Sequence, residues 1–160
     1  MLYRLIDLPK PFRKFLLAFV ILLSIGFFTG LGFVAQTGAT NAQGVTEAYN
    51  GNEDKENVKL LKFKKSDREM LTIIHTHVLS LSFIFVLLGV LTWGTRLTQQ
   101  QKFWLSIEPF ISIILTFGGL FFLWKGIAFF SYVVIFSGIL MTLAYLIAAF
   151  FVIRELLFKE

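Results

Sequence analysis

His75 and His77 are the chain's two histidines, separated by one residue at the head of a long apolar run. Imidazole can ligate a metal, carry a haem or move a proton near neutral pH. The preceding polar segment supplies Glu47, Glu53, Asp54 and Glu56. Carboxylate together with imidazole is a suitable donor set for zinc, manganese or iron. His75, His77, Glu47 and Glu53 are therefore the candidate metal ligands, and Glu47 or Glu53 is expected within hydrogen-bonding or water-bridged reach of an imidazole. Such a carboxylate would favour the charged ring and oppose the desolvation that disfavours it. Two positions apart on a helix is a rotation of about 200°, so the two rings cannot hold one ion together on an unbroken helix. Glu108 is a further intramembrane ionisable residue, read as lying in the first turn of its span with Arg96 and Lys102 as partners. By helical rise it lies roughly 25 Å from the histidines, at the opposite membrane surface.

Other chemistries are excluded by what the sequence lacks. There is no cysteine, so disulfides and thiolate sites are ruled out. No phosphate-binding glycine loop, dinucleotide fingerprint, nucleophile elbow or His-Glu-x-x-His occurs. A haem with two axial ligands from one chain would need a second helix. Met141 is the remaining donor and lies roughly 10 Å deeper than His75, which argues against a single-chain haem. A haem shared between two chains stays open.

The elements that must position these residues are four apolar runs, at residues 15–35, 70–95, 103–124 and 127–153. Each is long enough to cross a hydrocarbon core of about 30 Å as a helix. Hydrophobic residues make up 56% of the chain and charged ones 16%, against about 25% charged in soluble domains. The spans of a barrel would read as alternating segments of about ten residues, and none occurs. The expectation is an all-α, polytopic membrane protein: one domain over 1–160, a four-helix transmembrane bundle, mainly up-down antiparallel, with a loop at 36–69. Its cations flank the spans as topological anchors, so the net charge of +5 is not read as nucleic-acid binding.

Pro9 and Pro11 are expected to interrupt any helix ahead of span one. The first apolar run exceeds the core of a signal peptide, about 7–15 residues, and no Ala-x-Ala follows. The loop is small and polar at first, with glycines at 38, 44 and 51 that would let it fold back. It then turns basic and apolar by alternation at 59–65, a pattern suited to lipid headgroups. Ser66-Asp67-Arg68-Glu69 has the form of a capping box and should start span two. Small and weakly polar stripes mark inward faces: Gly26 and Gly30 in span one; Thr72, His75, Ser82 and Gly89 in span two; Ser112, Thr116 and Gly119 in span three; Ser131, Gly138, Thr142 and Tyr145 in span four. His75 should thus face the bundle and His77 should not. Lys and Arg are distributed almost evenly between the two sides. The cluster Arg4, Lys10, Arg13 and Lys14, directly before span one, assigns both termini to the cytoplasm and the loop to the outside.

The segment Gly44-Val-Thr-Glu47-Ala-Tyr49-Asn-Gly51-Asn-Glu53, His75-Thr-His77 and the glycines from 26 to 32 together resemble a family of uncharacterised small four-span bacterial membrane proteins. Glu108-Pro-Phe and Phe117-Gly-Gly are also similar. The resemblance implies the four-span fold, and that loop and histidines form one unit. It implies no reaction. The family carries Thr before the first histidine, where this chain has Ile74.

The functional expectation is a non-enzymatic integral membrane protein, an accessory or structural subunit of an inner-membrane assembly, with the bilayer and protein partners or further copies as its contacts. The alternative is a membrane redox, metal-binding or proton-handling protein using His75, His77 and the loop carboxylates.

Overall fold

The computed structural model describes residues 4–55 and 60–158. A short 3-10 turn, Leu5–Asp7, precedes five helices: α1 (Lys10–Gln36), α2 (Ala42–Asn50), α3 (Asp67–Trp93), α4 (Gln99–Trp124) and α5 (Phe130–Leu157). Helices α1, α3, α4 and α5 are long and apolar enough to cross a membrane. Among the described residues there is no strand, and the four-helix transmembrane bundle is as expected.

Local chemistry sets the helix boundaries. Ser66 and Glu69 form the reciprocal capping box that starts α3. Thr98 and Gln101 form a second one, so α4 starts ahead of the expected 103. Pro11 sits in the first turn of α1 and begins that helix instead of interrupting it. Proline is suited to that place, since its missing N–H has no intrahelical partner there. Asn41 caps α2 by accepting from Gly44 N, in a stretch expected to be irregular. Gly126, at φ +101°, turns the chain between α4 and α5.

Helix α5 is the hub, packed against α1, α3 and α4, while α4 also packs along α3. At the centre the Phe27 and Tyr145 rings stack at 3.9 Å, with Phe85 edge-on to both. The Tyr145 hydroxyl donates to Ser24 Oγ at 3.0 Å. Thr116 and Ser137 share a buried hydroxyl hydrogen bond of 2.7 Å between α4 and α5. Polar groups inside a bilayer need such partners, because no water is at hand.

The expected inward faces hold for α4, where Ser112, Thr116 and Gly119 are buried, and for Ser131 and Tyr145 of α5. They fail in two places. Gly26 and Gly30 are exposed, with open space where a Cβ would be; α1 faces α5 through Val20, Ser24 and Phe27 instead. The α3 stripe leaves the core as it rises: Gly89 is buried, Ser82 half-buried and His75 exposed. The packed face of α3 runs instead through Ile74, Val78, Leu81, Phe85 and Leu88, and His75, one residue beyond Ile74, is turned about 100° from that column.

Candidate functional site

Two clusters of polar side chains lie at opposite ends of the bundle. The cap end is built by α2, which packs across α4 and α5. Asn50 Nδ2 donates to the carbonyl of Leu123 at 2.8 Å, and Trp124 Nε1 donates to the carbonyl of Lys65 at 2.8 Å. Asn52 pairs with the returning chain: its amide nitrogen donates to Leu60 O, and its side-chain oxygen accepts from Lys62 N. Gly51, at φ +81°, makes the fold-back that the glycine pattern suggested. Gly44 acts differently. It lies within α2, and a Cβ there would come within 1.9 Å of the Gly38 carbonyl oxygen, so only glycine permits the close approach. Residues 60–65 cross the cap with Lys62 donating to Thr37 O and with Leu60, Leu61 and Phe63 outward.

The carboxylates expected to meet the histidines are engaged elsewhere or exposed. Glu47 accepts from Lys55 Nζ and Gln43 Nε2, both at 2.8 Å. These bonds, Lys55 foremost, hold its carboxyl below the usual carboxylate range. Glu53 and Asp54 are exposed, and Glu56 lies outside the described residues. No described hydrogen bond joins Glu47 or Glu53 to an imidazole, which corrects the directly bonded arrangement: α2 points Glu47 along its own helix, towards Gln43 one turn before it. Among the described residues no three His, Asp or Glu side chains gather in a metal-holding group.

Both imidazoles are exposed, on different sides of α3. His77 Nδ1 is 2.8 Å from the carbonyl of Ile73. A carbonyl can only accept, so Nδ1 carries the hydrogen and the neutral ring keeps its lone pair on Nε2. The ring also rests 5.3 Å from that of Phe117 on α4. It is therefore His77 that leans on the neighbouring helix, while His75 faces out.

At the turn end, where α3 passes to α4, the ion pairing also departs from expectation. Glu108 lies about three turns inside α4, not in its first turn. It accepts from Ser112 Oγ, and its other oxygen is buried without a hydrogen-bond partner. Lys102, fully buried at 0% exposure, donates to the carbonyl of Trp93 and so closes the end of α3. Arg96 pairs with Glu155 at 3.4 Å. The earlier start of α4 explains both corrections, because it carries Glu108 deeper than either cation reaches. Glu155 is only 4% exposed, and the sequence reading missed it. A glutamate following Arg154 at the end of an apolar run looks like an ordinary terminus, and its partner is far away in sequence. Arg13, 7% exposed, donates to the carbonyls of Glu155 and Leu156 at 3.3 and 2.5 Å, while Leu5 N donates to Gly94 O at 2.9 Å.

Four apolar helices packed around a largely apolar core, capped on one side and clamped on the other, define a small polytopic integral membrane protein. Residues 39–160 match the model of the Aq_1264_TM family, a transmembrane helical domain, and the chain belongs to that family. No curated protein and no solved structure matches it.

Proposed function

We propose that this chain is a non-enzymatic accessory or structural subunit of a larger assembly in a bacterial inner membrane, with both termini in the cytoplasm. The observation that most supports this reading is the polar head of α3. His75 and Thr76 are exposed on the flank of a spanning helix, whereas hydroxyls inside the bundle bond one another. Polar and ionisable groups at membrane depth are costly against lipid and favour hydrogen-bonded protein contacts. A partner subunit seated on this flank would supply them. The test isolates the tagged chain from its native membranes in mild detergent, with a photo-crosslinking residue at position 75 and, as a lipid-facing control, at exposed Phe136. A stoichiometric partner that crosslinks from 75 and not from 136 is expected. A chain that elutes alone and crosslinks only lipid from both positions overturns the reading.

One observation favours the alternative of metal or proton handling through His75, His77, Glu47 and Glu53. His77 Nδ1 is fixed on a backbone carbonyl, which orients the ring and leaves Nε2 as the basic nitrogen, the arrangement common to metal-ligating histidines. Stoichiometric metal in the purified protein, lost in His77→Gln, would carry this alternative in place of the first.

A further inference from the structure

The turn end carries a concave surface that the subunit reading leaves without a role. A cavity of about 330 Å³ is lined by Arg96, Arg154, Glu155 and Phe158. Glu155 is charge-matched by Arg96. Arg13 is directed at the backbone carbonyls ending α5, where a cation meets the negative end of the helix dipole. Arg154 is exposed, with its guanidinium 5.0 Å from the Phe151 ring. Three guanidinium groups against one carboxylate leave the region positive. A second groove, of about 530 Å³, runs between α4 and α5. Thr98 and Gln101 line its polar end, and Trp104, Leu105, Ile147 and Phe151 its apolar length. The two depressions adjoin at the consecutive residues Arg96 and Leu97, and again where Arg154 lies on Phe151.

We propose that the joined depressions bind one anionic phospholipid, with its phosphate at Arg96 and Arg154 and an acyl chain along Leu105, Ile147 and Phe151. Guanidinium presents forked donors that match phosphate oxygens. Basic pockets between spanning helices are suited to anionic headgroups. Trp104, 55% exposed, stands where an interfacial indole marks headgroup level. A soluble phosphate could use the arginines but not the apolar groove, which is why the occupant is a lipid.

The test is native mass spectrometry of the full chain in detergent, offered phosphatidylglycerol or phosphatidylcholine with the same acyl chains. One phosphatidylglycerol per chain should be retained in preference to phosphatidylcholine. Arg154→Gln should weaken that retention about fivefold, as removal of one interfacial cation implies, with an unchanged melting temperature. Where Arg154→Gln melts abnormally, Arg154→Lys replaces it, and loss of the forked donor should still lower retention. Equal retention of both lipids, or of phosphatidylglycerol by wild type and variant, overturns the proposal. Displacement of the lipid by millimolar inorganic phosphate also overturns it and reassigns the arginines to a soluble anion.

Discussion

Gly44 and Gly26 are the same residue under opposite constraints. A Cβ at 44 would collide with the Gly38 carbonyl, which belongs to backbone that cannot swing aside. Gly44→Ala should destabilise the protein by about 1–3 kcal/mol, the usual cost of overpacking. Around Gly26 nothing lies within 4 Å, so Gly26→Ala should be stabilising by up to about 1 kcal/mol through helix propensity. Thermal unfolding of the full chain in detergent checks both, and a wild-type melting temperature for Gly44→Ala would contradict the packing of α2. Two titrations belong to the same cap. Burial raises the Tyr49 hydroxyl above its ordinary value of 10.0. The unfolded chain then releases that proton first, so stability is full below about pH 10 and is lost as pH rises from there towards the folded value. Glu47 has the opposite sign. Its carboxyl is lowered from 4.5 by Lys55 and Gln43, so its contribution is present above that value and is lost as pH falls towards the folded one. Fluorescence of Trp124, which donates into the cap, should report alkaline loosening in wild type and less of it in Tyr49→Phe. An identical alkaline profile in the two proteins would remove Tyr49 as the cause.

At the scale of elements, what could be read from sequence was what is local. The start of α3 was legible because Ser66 and Glu69 cap within one turn. The start of α4 was equally written in Thr98 and Gln101, but the surrounding glutamines and Arg96 resembled a polar turn. Helix α2 was not legible, since its few apolar residues pack on the ends of α4 and α5, which only the assembled bundle creates. The direction of His75 was missed because the packed column of α3 is the apolar one through Ile74, Leu81 and Leu88, not the small-residue stripe beside it. The partners of Arg96 and Arg13 lie on α5, at a sequence distance no spacing rule covers. Arg13 matters because α1 packs chiefly on α5, and the guanidinium pins one end of that contact. Arg13→Met keeps the side chain's apolar bulk and removes its donors. It should cost about 1.5–3 kcal/mol, the range for hydrogen bonds to charged groups. Deuterium exchange should rise over the first turns of α1 and the last turn of α5, while the α3–α4 pair stays protected. A uniform rise would mean that Arg13 supports the whole bundle and not this joint.

For the whole molecule the open quantity is orientation, which a bundle of antiparallel helices leaves undetermined by itself. The cap end carries Lys55, Lys62, Lys64, Lys65, Arg68 and Lys125. The turn end carries Arg4, Lys10, Arg13, Lys14, Arg96, Lys102 and Arg154. The balance is too even for a count to decide, and carboxylates weigh little in the rule. The proposed orientation rests on the cationic cluster Arg4, Lys10, Arg13 and Lys14 that immediately precedes α1. Holding that cluster inside places the turn end and its phospholipid groove in the cytoplasmic leaflet, where anionic lipids attract juxtamembrane cations. The α2 cap then lies outside. Single cysteines are free of background because the chain has none. At Asn50 and Gln100 they should label from opposite sides, position 50 by an impermeant maleimide in whole cells and position 100 only after permeabilisation. Asn50 is half-buried on the cap, so exposed Glu53 serves as a second outside position with the same expected result. Labelling of position 100 alone in intact cells would invert the molecule and put the cap and its histidines in the cytoplasm.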